Sequence, residues 1–397
     1  MIKVHECGTI KLKFMKKKRG WMFFFVCLNF IACNDAKVVD EYANIRHEGQ
    51  KDIKITGIVL DTIYIDASST SLEGEWHLRD NKLYFIDYSV VGVTEFDLDG
   101  QYAAKYIEKG RGPNEILQPI FAGSFSDTGD FVGIDQGWMI SLFDKDFKKK
   151  NSCVLLGDIA GDEQVWDNLL QNPDPEAFRM YEFFISSKSI RFLNDLVVIP
   201  VITEHVAYNG FNKGANTRDF WSRSYNFLMI DVHNCKTGKL FGHYPPIFRE
   251  KNIPAFSLLS FDTGNGHVYC SYGADSLIYV RDSNGELIKS IGYAASSIKG
   301  GYPETQTFEE YSKNRGQNEK DYGYYKRIKL VNDHLFRSYK KDGGAGYGLQ
   351  IYHNSDLIGD ISFPEDIHVI GYSNGAYYGV LPVDTDSERF RIVRFEL

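Results

Sequence analysis

Six copies of one drifting phrase predict an all-β chain: a six-bladed β-propeller of four-stranded antiparallel blades, its ring closed by an N-terminal strand pairing with the C-terminal blade. The phrase is a turn dipeptide followed by an apolar strand. It stands at 81–87 (Asn-Lys-Leu-Tyr-Phe-Ile-Asp), 129–135, 194–199, 266–270, 332–336 and 374–378. Repeats at spacings of tens of residues mean one supersecondary unit stacked on itself, and an all-β unit of that length builds a propeller. Composition agrees: the 397 residues include 25 Tyr and 28 Phe, and flat aromatic rings pack well on pleated surfaces. The third observation is closure. The last copy supplies only three clear strands, while a β-rich stretch at 52–65 precedes the first copy.

The N-terminus reads as an address. Residues 1–32 are an upstream segment and a signal peptide, with Met15 as the true start. Lys16, Lys17, Lys18 and Arg19 form a basic region, 21–31 is a short apolar run, and Ala32 is a small residue before the cut. A Cys directly after the cut is what a bacterial lipoprotein needs, because its thiol takes diacylglycerol. The box Phe30-Ile31-Ala32-Cys33 resembles that of a lipoprotein signal peptide, with Phe where Leu is usual. Cys33 is therefore the expected lipidation site, and acyl chains at about 0.8 kcal/mol per buried methylene make a stable anchor. Residues 33–50 are expected to be the lipidated Cys and a polar tether, and 51–397 the propeller domain. No apolar run reaches the roughly 18 residues of a spanning helix.

The net charge of −8 divides unevenly. Residues 1–32 hold seven Lys/Arg and one acid, which leaves 38 basic and 52 acidic residues in 33–397, a net of −14. Such a body should seek neither nucleic acid nor anionic lipid. Of the six cysteines, Cys7 and Cys27 leave with the signal and Cys33 is acylated. Cys153, Cys235 and Cys270 remain, an odd number without zinc-site spacing, expected as buried free thiols with at most one bridge.

Aligned copies place the blades at about 72–108, 120–156, 183–245, 255–292, 326–363 and 365–397. The strand missing from the last blade is expected from 52–60 or 62–65, paired with 389–395. That closure leaves no long open edge. Five and seven blades are the neighbouring counts left open at this stage.

In a propeller, turns joining first to second and third to fourth strands share one face. Second-to-third turns and the links between blades share the other. Here the first set is short and rich in Asn, Asp and Gly, which tolerate positive φ. The second set holds every long segment: 157–182, 203–223, 294–325 and 341–348, with helix expected at 162–170 and 307–314. Long loops in compact folds are commonly functional, and dense aromatics argue for order. The ligand-binding candidates are His205, Tyr208, Trp221, Arg223, Tyr311, Tyr322, Tyr324 and Tyr325. The competing reading is that these side chains only pack as a cap over the ring.

One motif goes beyond architecture. After the last strand of blade 1 stands Lys109-Gly110-Arg111-Gly112-Pro113-Asn114-Glu115-Ile116. It resembles the G-x-G-P-G/N-E signature of the Bacteroidetes six-bladed β-propeller lipoproteins, a TolB-like, NHL-related group. The resemblance covers roughly residues 50–397 at the level of pattern and implies the fold, a lipid anchor and a home in the bacterial outer membrane, periplasmic or cell-surface. It carries over no catalytic residues. Physically, Gly110, Gly112 and Pro113 set a tight exit toward blade 2, Glu115 is placed to accept from backbone amides, and Arg111 to pair with a neighbouring blade. The motif is read as structural. Phosphate cradling lacks the strand–helix context of a P-loop.

Catalytic signatures are absent: no H-E-x-x-H, G-x-S-x-G or S-x-D-x-G-x-x-W, and no GxGxxG in a βαβ setting. Asp97-Leu98-Asp99-Gly100 lacks the later positions of a calcium loop and reads as a hairpin turn. His77, His267 and His334 fall beside or within strands and read as structural histidines, so no metal ligands are assigned. No cofactor is predicted, although a divalent cation such as calcium suits the second of two function classes. The first class, and the favoured one, is a lipid-anchored, non-enzymatic binding module. It takes glycan, peptide or another envelope protein through its long-loop face, with the domain itself monomeric. The second is a hydrolase or lyase with a divalent metal or paired carboxylates at the channel mouth. Two facing carboxylates with raised pKa, or an ion on the axis, would discriminate the second.

Overall fold

The computed structural model describes residues 40–154, 163–184, 187–203 and 205–397. The expected signal peptide, Cys33 and the expected start of the tether fall in residues 1–39, outside the described residues. Two strands come first, β1 (Lys51–Ile55) and β2 (Asp61–Asp66). Blade 1 follows as β3 (Gly74–Arg79), β4 (Lys82–Asp87), β5 (Val93–Phe96) and β6 (Tyr102–Tyr106). Blade 2 is β7 (Ile120–Phe125), β8 (Phe131–Asp135), β9 (Met139–Phe143) and β10 (Lys149–Val154). In blade 3 the inner strand is split into β11 (Glu182–Phe183) and β12 (Arg191–Leu193), followed by β13 (Leu196–Ile202), β14 (Tyr225–Asp231) and β15 (Lys236–His243). Blade 4 is β16 (Leu259–Gly264), β17 (His267–Tyr272), β18 (Ile278–Arg281) and β19 (Leu287–Ile291). Blade 5 is β20 (Tyr324–Val331), β21 (His334–Lys340), β22 (Tyr347–His353) and β23 (Asp356–Phe363). Blade 6 is β24 (His368–Ser373), β25 (Ala376–Asp384) and β26 (Arg389–Phe395). The six sheets form a six-bladed β-propeller.

The phrase repeated in the sequence is the first hairpin of each blade. Asp80 and Asn81 turn β3 into β4 with φ of 49° and 59°, and Asn374 and Gly375 turn β24 into β25 with 50° and 84°. Two successive positive φ values give the turn whose twist matches that of paired strands. The third-to-fourth hairpins of blades 1, 2 and 4 use another device: an Asp side chain accepts backbone amides two and four residues on. Asp97 accepts from Asp99 and Gln101, Asp144 from Asp146 and Lys148, and Asp282 from Asn284 and Glu286. The Asp97 carboxylate is thus occupied by its own turn.

Closure runs through β2, which pairs with β26 from Asp61 opposite Arg394 to Asp66 opposite Arg389. The other candidate, β1, joins blade 5 as a fifth strand, parallel to β23. Both cover edges that would otherwise offer unpaired backbone groups.

The stretch 40–50, expected as tether, is docked against the ring. Glu41 makes two hydrogen bonds with the Arg281 guanidinium, at 2.7 and 2.8 Å, and Asp40 pairs with Arg249 at 2.8 Å. Tyr42 is buried against Tyr279, with ring centroids 5.0 Å apart, and donates to the His243 carbonyl at 2.6 Å. The Glu48 amide then donates to Ser290 on β19 and that of Gln50 to the Asp356 carboxylate. Residues 40–50 therefore strap blades 3, 4 and 5 before the first strand. The polar sequence hid this, because its few buried groups find their partners some 200 or more positions away.

Apolar side chains pack between blades. Trp76 on β3, for example, lies among Phe85, Phe96 and Phe390, joining blades 1 and 6. Cys153 on β10 is disulfide-bonded to Cys235 in the β14–β15 turn, tying blade 2 to blade 3, and Cys270 is a buried free thiol. Helix α1 (Glu163–Gln171) lies in a link between blades, α2 (Ala215–Arg223) in the insertion between β13 and β14, and α3 (Pro246–Glu250) and α4 (Phe308–Asp321) in links between blades. The first and last were expected. At the start of α4 the Thr307 side chain caps the helix by accepting from the Glu310 amide, and Glu310 reaches back to accept from the Gln306 amide, one residue before the cap. Among the described residues no helix is long and apolar enough to cross a membrane.

Candidate functional site

The inner strands of five blades send charged or imidazole side chains toward the channel. Alternation along β3 puts Glu75 and His77 on one face, with His77 against Phe125 of blade 2, while Trp76 faces blade 6. Arg191 on β12 donates to Glu75 at 3.0 Å and to Asp262 on β16 at 2.8 Å, and its remaining amino group to the Ile190 carbonyl. One guanidinium thus ties blades 1, 3 and 4 across the axis. Lys329 on β20 reaches the same Asp262 at 3.3 Å, and the Leu330 amide donates to it at 2.8 Å. Arg191 and Glu75 side chains are 8% and 11% exposed.

Two cations and two carboxylates balance in this girdle, and the histidines beside it are held neutral. Burial pushes Glu75 up, but the Arg191 guanidinium overcomes it and holds the carboxyl far below its ordinary value. Burial lowers His77, against the opposing pull of Glu75. His368 on β24 is driven well below its ordinary value, by burial first and then by Arg327. His368 touches solvent in the channel, yet protein surrounds it, and it is the surrounding protein that sets its proton affinity. Removal of one member would leave a buried charge uncompensated, the costly way to break such a network.

Above the girdle, on the long-loop face, opens a cavity of about 540 Å³. Its polar lining includes Glu73, Tyr88, Lys188, Lys326, Arg327 and His368. A register shift between Tyr325 and Arg327 breaks the alternation of β20, so the consecutive Lys326 and Arg327 both line the cavity. Bulges of this kind re-aim side chains next to functional sites. Lys326 is paired with Asp366 at 2.6 Å, and Lys188 lies over the Tyr88 ring at 4.7 Å. Arg327 is exposed and has no ion-pair or hydrogen-bond partner among the described residues. In a body of strongly negative charge, this mouth presents a free guanidinium.

The long segments do meet one another. His205 contacts the Leu170 carbonyl at 3.1 Å, the Lys213 amide donates to Gln306, and Asp342 accepts from the Gly323 and Lys299 amides. The sequence candidates, however, scatter within this belt. Tyr208, Trp221 and Tyr325 are only 1%, 2% and 3% exposed, so they present no ring to a ligand. Trp221 stacks on Phe248 at 5.3 Å and donates to Asn252 at 2.7 Å; Tyr208 packs on Phe220 at 5.7 Å. The Tyr325 ring carries the Arg337 guanidinium at 3.8 Å. Arg223 pairs with Asp219 at 3.4 Å. Tyr311 packs on Phe211 at 4.7 Å and Tyr322 on Tyr302 at 5.8 Å. Of the eight, only Tyr324 lines the cavity. The rings are dense here because links that cross the top of the ring must bury apolar surface of their own.

The 109–116 motif is a self-bonded turn. The Glu115 carboxylate accepts from the Gly112 amide at 2.6 Å, and the Gly110 and Ile116 amides donate to the Ile116 and Glu108 carbonyls. A Cβ at Gly110 would meet that carboxylate and force Glu115 to turn away from the Gly112 amide. Arg111 is exposed and pairs with no neighbouring blade among the described residues, against expectation. Pro113 is exposed beside it.

Sequence reasoning passed over Glu75, Lys188, Arg191, Asp262, Arg327, Lys329 and His368 as site residues. For all but Lys188 a signal was present: ionisable residues inside the first strand of a blade, where a propeller places them at the channel.

No protein-family model matches the sequence, and no curated protein matches it. Among solved structures the chain is similar to a member of the DUF4221 family from Bacteroides vulgatus. The two share 12% identity over 86% of this chain and 98% of that one, with a TM-score of 0.64. It is also similar to a protein from Bacteroides fragilis described as exported, at 12% identity over 89% and 99% of the two chains and a TM-score of 0.50. At that identity the likeness extends to the fold alone, and the fold is that of a six-bladed β-propeller.

Proposed function

We propose that the protein is a lipid-anchored envelope binding module that takes an acidic ligand, a glycan or peptide bearing a carboxylate, at the channel mouth on its long-loop face. The observation that carries this reading is Arg327, exposed, unpaired among the described residues and set into a concave mouth beside Lys188 and Tyr324. A planar guanidinium pairs bidentately with carboxylates, and aromatic rings stack on sugar planes. The Cys153–Cys235 disulfide supports a location outside the cytoplasm, since such bonds persist in oxidising compartments. Lipidation of Cys33 and outer-membrane placement belong to the same proposal and rest on the signal sequence.

The hydrolase or lyase alternative receives no support from the girdle. Glu75 and Asp262 are separated by the Arg191 guanidinium that both bind, and Glu75 is held ionised. A carboxylate pair that shares a proton needs the opposite environment.

The test is retention on an array of neutral and uronate-containing glycans and acidic peptides. Wild type should retain acidic ligands over neutral ones. Arg327→Ala should weaken that binding about 10-fold or more, the scale of a charge-assisted bond, at unchanged thermal stability. Equal retention of neutral and acidic ligands, or unchanged binding by the variant, overturns the reading.

A further inference from the structure

We propose that Asp333, His334 and His353 form a divalent transition-metal site on the short-turn face of blade 5. His334 opens β21 and His353 ends β22, and the two are direct cross-strand partners. Their rings leave the same side of the sheet, with centroids 4.8 Å apart. Asp333, in the preceding turn, places one carboxylate oxygen 2.7 Å from His334 Nδ1 and the other 3.4 Å from His353 Nδ1. One donor atom from each residue lies within 4.8 Å of the other two. Donors around tetrahedral zinc, with bonds of about 2.0–2.1 Å, sit roughly 3.3 Å apart. Small side-chain rotations bring this set to that spacing.

The hydrogen bonding points the same way. His353 Nδ1 is shielded from solvent and, beyond the 3.4 Å approach of Asp333, makes no hydrogen bond among the described residues. His334 Nδ1 has the opposite problem: besides Asp333 it faces the Tyr377 hydroxyl at 2.8 Å. One ring nitrogen offers a single in-plane lone pair or hydrogen and cannot satisfy both. A cation among the three residues takes the lone pairs of both nitrogens and neutralises the carboxylate, leaving Tyr377 free to donate to Asp333.

An outer partner is also in place. The Asn354 amide lies 2.9 Å from His353 Nε2. Its oxygen and nitrogen exchange by a half-turn of the amide. With the oxygen inward it accepts from Nε2–H and leaves Nδ1 its lone pair, the usual support of a metal-bound imidazole. Two imidazoles and a carboxylate suit zinc, copper or nickel rather than calcium. Asp333 is exposed, so a fourth position opens to water. The site lies on the face opposite the proposed ligand mouth and does not depend on it.

The protein, stripped with chelator, is titrated with Zn²⁺ by calorimetry and with Co²⁺ by visible absorption. One equivalent of Zn²⁺ should bind, and Co²⁺ should develop the intense visible bands of a four-coordinate site. His353→Gln should weaken Zn²⁺ binding at least 10-fold, whereas His205→Gln, on the other face, should leave it unchanged. The proposal is overturned if the His334→Gln/His353→Gln double variant binds as wild type does. It is also overturned if Co²⁺ shows only the weak spectrum of a hydrated ion. Where the double variant fails to fold, NMR of the wild type decides. Zn²⁺ must shift the imidazole signals of two histidines, and shifts spread over several histidines sink the idea.

Discussion

Arg191 on the channel axis and Trp221 beneath the long loops are buried to similar depth, 6% and 2% exposed, yet they hold the ring by opposite means. Arg191 joins three blades through bonds whose worth depends on every partner being present. Trp221 fills space among Phe220, Tyr244 and Phe248, and its contribution grades with contact area. The difference teaches where to look for function in this fold. Aromatic density in the links reports packing, because a link laid over a ring must cover its own apolar surface. An ionisable side chain in a first strand reports the channel, because removing charge from water is costly and persists only where partners converge.

The comparison breaks most visibly at Arg191. Arg191→Met keeps the volume but leaves Glu75 and Asp262 facing each other without their bridge. The expected loss is about 3–5 kcal/mol in urea unfolding, the scale for orphaning a buried charge. A loss below about 1 kcal/mol would mean that water in the channel, rather than Arg191, compensates the carboxylates.

A smaller effect is expected under the loops. Trp221→Phe keeps most of the ring packing and removes the indole N–H from the Asn252 oxygen. The cost should be about 1–3 kcal/mol, that of one buried acceptor left unsatisfied. Asn252→Ala in the same background should add less than it does alone, because the two residues share that bond. Full additivity would show that the cap is held by independent contacts.

The smallest effect is a pH dependence. His77 and His368 have proton affinities below the ordinary value of 6.5, so the unfolded chain binds more protons than the folded one as pH falls past that value. Stability is fully present above about pH 6.5 and declines below it. Glu75, also depressed, adds its own loss further down, below its ordinary value of 4.5. Between pH 7.5 and 6 the two histidines should cost about 1 kcal/mol of unfolding free energy. The His77→Gln/His368→Gln double variant should lose more than half of that slope; a slope that survives intact places its source outside the channel.

Much of the ring was legible in the sequence. The Asn-Gly and Asp-Asn turns announce the first hairpins, and Thr307 with Glu310 announces α4, because these signals act between residues a few positions apart. The closing strand was legible as one of two candidates, since a blade short of a strand must borrow one. The candidate site was mostly not legible. Only Tyr324 among the proposed ligand residues lines the mouth, and Arg327 gained its place there through a bulge that alternation alone does not foresee.

What the sequence determined by itself is the blade: turn, strand and length, all set by local backbone preference and by apolar alternation. What the tertiary structure decided is which distant side chains meet. Glu75, Arg191, Asp262 and Lys329 come from four blades, Glu41 finds Arg281 across the strap, and Cys153 finds Cys235 across an interface. Those encounters depend on register and on closing the ring, and only the closed ring, which brings the first strands to one axis, makes a site of residues that are ordinary in their own blades.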